Sequence, residues 1–121
     1  MMMNIEKKIR QARAYRVNYP FEDYAKVEIL GEKCMVINLS TSGIKFMCNK
    51  KAFEGMRFTA KLYLLYDNKP KDVGGIVKRI EIDRLNRQIL ACQFYKNMQL
   101  SLENITQEQH CLRKKGYCNF M

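Results

Sequence analysis

Polar and apolar residues alternate along most of this chain, and the alternation predicts strands. In YAKVEIL at 24–30, Ala25, Val27 and Ile29 fall on one face and Lys26 and Glu28 on the other. That period of two marks a half-buried antiparallel strand. Gly31-Glu32 reads as a hairpin turn. Lys33 to about Ile37 follows with apolar residues on both faces, as in a central strand. After the polar stretch NLSTSG at 38–43, IKFMC at 44–48 is a third strand, with Ile44 and Phe46 on the same side. NKKAFEGM at 49–56 is a loop, and RFTAKLYLLY at 57–66 alternates again with Phe58, Ala60, Leu62 and Leu64 inward. The cluster Asp67-Asn68-Lys69-Pro70 turns the chain. A long strand runs from about Val73 to Ile82, DRLNR turns, and QILACQF at 88–94 completes the set. Six short strands at this spacing predict an all-β fold, a closed or nearly closed antiparallel barrel.

The two ends break the period. Met98, Leu102, Ile105, Gln109 and Leu112 share one face of a 3.6-residue repeat, which predicts a C-terminal helix at about 99–115. Arg113, Lys114 and Lys115 suit the negative end of its dipole, and Gly116 is a stop. Residues 1–18 carry Lys7, Lys8, Arg10, Arg13 and Arg16 around Tyr15, with few apolar positions. They form a basic arm that packs no helix but can order on a ligand. The predicted organisation is an arm at 1–18 and a barrel with its helix at 19–121.

Composition narrows the class. A chain of 121 residues is one domain, and 47% hydrophobic with 11% aromatic residues exclude disorder. The apolar runs are too short to span a membrane, and MMMNIEKKIRQARAYR has no apolar core of a secretory signal. Cys34, Cys48, Cys92, Cys111 and Cys118 are an odd set without framework spacing, which predicts free thiols in a reducing cytoplasm. A net charge of +10 favours an anionic partner such as nucleotide, nucleic acid or lipid, unless the basic residues are only solvated surface. One histidine, His110, stands near no nucleophile pattern, and phosphate-binding glycine loops are absent. His110-Cys111 with Cys118 lacks zinc spacing. The expected protein is a non-enzyme without metal or cofactor.

NLSTSG holds more turn-forming residues than a turn needs. Asn38-Leu39-Ser40-Thr41-Ser42-Gly43 matches in full the (D/N)xSxxG motif of the PilZ domain family, with Ile44 at its aliphatic position. GGIVKRI at 74–80 looks like that family's Gly-x-Val strand. ILACQF at 89–94 looks like its closing strand, with Ala91 in place of glycine. The family's other motif is RxxxR on the N-terminal arm. Arg16-Val17 fits its second arginine, the first falls on Ala12, and Arg13 matches a third basic residue that many members carry. Over roughly residues 10–115 the chain therefore resembles a PilZ domain, a six-stranded barrel with a C-terminal helix that binds cyclic di-GMP.

That resemblance implies a site. Asn38 and Ser40 would bond a guanine or a phosphate, and Gly43 would allow close approach. Arg13 and Arg16 would clamp the ligand, with Arg10 substituting for the arginine missing at Ala12. Guanidinium groups suit both the guanine O6/N7 edge and the phosphates. The implied function is a cyclic di-GMP receptor that changes the surface shown to a protein effector, in motility, biofilm or surface-behaviour signalling. Ala12 keeps open an adaptor that binds no nucleotide. The charge with Tyr15, Tyr63 and Tyr66 keeps open a single-strand nucleic-acid barrel, although no nucleic acid is expected under the leading reading. The sequence does not decide between monomer and dimer. Taken as ordinary turn chemistry instead, Asn38 and Ser40 would bond their own backbone and Gly43 would take positive φ.

Overall fold

A computed structural model describes residues 15–117. Alternation builds the wall: Ala25, Val27 and Ile29, Phe58, Ala60, Leu62 and Leu64, and Ile44 and Phe46 all point inward and are buried. The strands are β1 (Arg16–Asn18), β2 (Lys26–Ile29), β3 (Glu32–Ser40), β4 (Gly43–Cys48), β5 (Arg57–Tyr63), β6 (Lys71–Ile82) and β7 (Gln88–Phe94). All pair antiparallel in the order β1-β3-β2-β5-β6-β7-β4, and a β3–β4 pairing closes β2 to β7 into a six-stranded barrel. A 3-10 turn at Lys96–Met98 leads to helix α1 (Leu102–Lys114).

The seventh strand is the end of the predicted arm. β1 pairs Arg16 with Ser40, Val17 with Leu39 and Asn18 with Asn38. Leu39 also pairs with Ile44 of β4, so β1 lies on the edge of β3 opposite β4 and continues the line of β2. Its one apolar residue, Val17, is fully buried.

The hairpin between β2 and β3 turns on Leu30-Gly31, one residue earlier than Gly31-Glu32. Its central residues have φ of 51° and 79°. These are the angles of a type I′ turn, which needs positive φ at both positions to match strand twist, and leucine pays for this with a Cβ clash. Leu30 is 75% exposed, so its side chain returns little packing. Leu30→Asn is expected to raise stability by about 0.5–1 kcal/mol in chemical denaturation; an unchanged or lowered midpoint would count against this account of the turn.

Helix α1 is capped by Ser101, whose hydroxyl accepts from Asn104 N, while the Asn104 side chain accepts from Ser101 N. Gly116 at φ 95° ends it. Its buried face is Ile105, Glu108 and Leu112, whereas Leu102 is 46% exposed. The apolar stripe is thus rotated from the predicted one, and a carboxylate sits at its centre. Glu108 accepts from the Tyr19 hydroxyl, from Leu65 N at 2.9 Å and from Tyr66 N at 3.0 Å. Burial first, and then the Glu108 carboxylate, push the Tyr19 phenol well above its ordinary 10.0. Gln109 Nε2 donates to the Arg16 carbonyl at 3.0 Å, which ties the helix to β1.

Cys34, Cys48 and Cys92 are buried free thiols, Cys111 is half-buried, and Cys118 lies outside the described residues. Burial pushes Cys34 and Cys92 up to about 12, so neither is a thiolate at neutral pH. No helix among the described residues is long and apolar enough to cross a membrane.

Candidate functional site

Two β-bulges shape one groove on the outer wall. In β3, Cys34 and Val36 point inward, then the register shifts between Val36 and Asn38. The next inward residue is Leu39, and Asn38 and Ser40 emerge on the outer face. Without that extra residue, Asn38 and Ser40 would keep the parity of Val36 and point into the core. The motif therefore begins inside a strand. Only Thr41 and Ser42 lie between β3 and β4, so the turn is shorter than the six residues suggested.

The turn is held on several sides. Gly43 N donates to Ser40 Oγ at 3.1 Å. The Thr41 carbonyl accepts from Leu100 N at 3.0 Å and the Ser42 carbonyl from Phe94 N at 2.8 Å. Ser40 thus does perform ordinary turn chemistry. Asn38 does not: its side chain makes no hydrogen bond with another described residue. Gly43 is not among the residues of positive φ. Its constraint is contact, since a Cβ there would stand 2.7 Å from the Cys92 carbonyl oxygen of β7.

Arg16 stands directly across from Ser40, and with Asn38, Ser40 and Gly43 it lines a groove of about 330 Å³. Sequence reasoning missed the far wall. Lys45, Lys78, Arg79 and Gln93 line the same groove. The available signal was Val77-Lys78-Arg79, where adjacent charges follow an inward valine and strict alternation would bury one of them. Arg10, Ala12 and Arg13 lie outside the described residues. Among the described residues no three His, Cys, Asp or Glu side chains gather as a metal set. A second depression of about 400 Å³, beside Phe21, Tyr24, Met35 and Met47, carries none of the motif residues.

The fold and the groove define a class: a small closed antiparallel barrel with a docked C-terminal helix and a polar, basic groove on its outer wall. Within that class the chain belongs to the PilZ domain family, whose sequence model matches residues 8–110. PilZ domains are receptor and adaptor domains. A search of curated proteins finds no match. Among solved structures, the PilZ domain of YcgR from Escherichia coli, solved with c-di-GMP, is similar at 17% identity and a TM-score of 0.60, over 86% of this chain and 96% of that one. The Bacillus subtilis inhibitor of motility MotI/DgrA is similar at 16% identity and 0.59, over 84% of this chain and 49% of that one. MrkH, described as a c-di-GMP-dependent transcription regulatory factor, is similar at 16% identity and 0.55, over 83% and 48%. This chain thus spans about half the length of the last two, and at these identities the likeness is one of fold.

Proposed function

We propose that this protein is a cytoplasmic, non-enzymatic receptor for cyclic di-GMP, with the groove between β1, β3, β4 and β6 as its binding face. The observation that carries the reading is the pairing, on that face, of two groups that no other described residue engages. The Asn38 amide and the Arg16 guanidinium make no hydrogen bond or ion pair with other described residues, and they flank the rigid Ser40–Gly43 turn. An amide and a guanidinium at such a place suit a guanine edge and a phosphate. Family membership supports the same ligand, as does the YcgR PilZ domain solved with it.

In this reading Arg13 and Arg10 add their guanidinium groups to the ligand's contacts, and binding changes the surface offered to a protein effector in motility, biofilm or surface behaviour. Isothermal titration of the full chain with cyclic di-GMP is expected to give saturable heat; no heat at about 50 µM ligand would overturn the reading. Ala12→Arg restores the arm's missing guanidinium. One added charge-assisted contact of about 1.5–3 kcal/mol is expected to tighten binding about 10- to 100-fold.

Ala12 also favours a second reading, a domain that binds no nucleotide and acts only as a protein–protein adaptor. That reading predicts no heat from the wild-type chain, and effector control that survives Arg16→Ala but not substitutions on the exposed wall or helix.

A further inference from the structure

The far wall of the groove is built with the same device as the near one. The register of β6 against β7 shifts between Val77 and Arg79, which turns Lys78 and Arg79 outward side by side. Asn38, Lys45, Ala91 and Arg79 then stand in one row, each the register partner of the next across β3, β4, β7 and β6. Neighbouring strands lie about 4.8 Å apart, so Lys45 and Arg79 rise about 10 Å apart on either side of Ala91. A short side chain at Ala91 leaves the floor between them open.

This wall holds a carboxylate of its own. Glu81, two residues beyond Arg79 on the same face, lies 3.1 Å from both Nε and Nη2 of Arg79 through its Oε1, and its Oε2 lies 3.4 Å from Lys45 Nζ. Lys78 makes no ion pair with a described residue. Glu81 therefore stands where an anion would bind, between two cations aimed at it. Ion pairs as exposed as these contribute little to stability, so an entering anion displaces the carboxylate at small cost.

We propose that Lys45, Lys78 and Arg79 form a phosphate-binding wall fixed to the barrel, which takes a phosphodiester of the ligand, and that Glu81 occupies this wall until the phosphate replaces it. The proposal rests on the cyclic dinucleotide reading and extends it. Charge that RxxxR would bring from the arm is here supplied partly by the β6 bulge, which accounts for a groove that tolerates alanine at position 12. Glu81 acts as an internal competitor that weakens binding of every anion at the wall.

The test is calorimetric titration of the full chain with cyclic di-GMP, comparing wild type, Lys78→Ala/Arg79→Ala, Glu81→Gln and Arg16→Ala. The double variant is expected to bind about 10- to 100-fold more weakly. Glu81→Gln is expected to bind about 3- to 10-fold more tightly, a gain that misfolding cannot imitate. If wild type binds and Arg16→Ala weakens binding, yet the double variant and Glu81→Gln both match wild type, the wall is overturned and the receptor reading stands. If wild type gives no heat, the receptor reading and the wall fall together.

Discussion

Glu108→Ala is expected to cost about 3–5 kcal/mol of stability, the largest loss from any single side-chain truncation in the helix. The carboxylate is fully buried and receives three donors, the Tyr19 hydroxyl and the amides of Leu65 and Tyr66. Alanine would leave those donors buried without an acceptor and would open a void beside Ile105 and Leu112. Because Tyr19 follows directly on β1, the same change loosens the strand that presents Arg16. Thermal or urea unfolding measures the loss; a cost near 1 kcal/mol, typical of an ordinary hydrogen bond, would mean that the carboxylate is no pin. Tyr19 adds a pH signature. Its phenol is held above 10.0, chiefly by burial and then by Glu108, so the folded state keeps a proton that the unfolded chain releases. That contribution is full below pH 10 and is lost as pH climbs toward the raised folded value. The alkaline loss of stability should be smaller in the Glu108→Ala protein.

Gly75→Ala is the second large effect, at about 3 kcal/mol or more. A Cβ at Gly75 would stand 2.0 Å from the Gln93 carbonyl oxygen and 2.9 Å from Phe94 Cα. Both are backbone atoms of β7, so no rotamer change can make room and the β6–β7 pairing must part. Gly43→Ala meets the Cys92 carbonyl at the milder distance of 2.7 Å and should cost about 1–3 kcal/mol. The expected order is therefore Gly75→Ala worse than Gly43→Ala, read as denaturation midpoints; the reverse order would contradict the close approach at Gly75. Lost ligand binding in Gly43→Ala would then report a displaced β7 as well as any lost contact.

Period-two alternation was enough to find six strands and the barrel, because inward residues such as Val27, Leu62 and Phe46 repeat without interruption. It failed where one extra residue changes parity. CMVINLS has inward residues at 34, 36 and then 39, so the last strand residues before the turn looked like loop, although Asn38 and Ser40 are strand residues facing the groove. The same failure hid Lys78 and Arg79. Strand β1 has three residues and one apolar anchor, too few to show a period. No local pattern marks Glu108, because a carboxylate on a helix reads as solvent-facing and its partners lie 89, 43 and 42 residues away in sequence. The near side of the groove, Arg16 with Asn38, Ser40 and Gly43, is legible as a motif. Its far wall depends on pairing between strands that no local pattern records.

A proton–nitrogen correlation spectrum of the labelled full chain, titrated with cyclic di-GMP, tests the central claim most directly. The account predicts shifts concentrated at Asn38, Ser40, Ser42 and Gly43 and across the row through Lys45 and Ala91 to Arg79, with Arg16 moving with them. Unchanged spectra at saturating ligand, or shifts gathered instead around Phe21, Tyr24 and Met47, would contradict it.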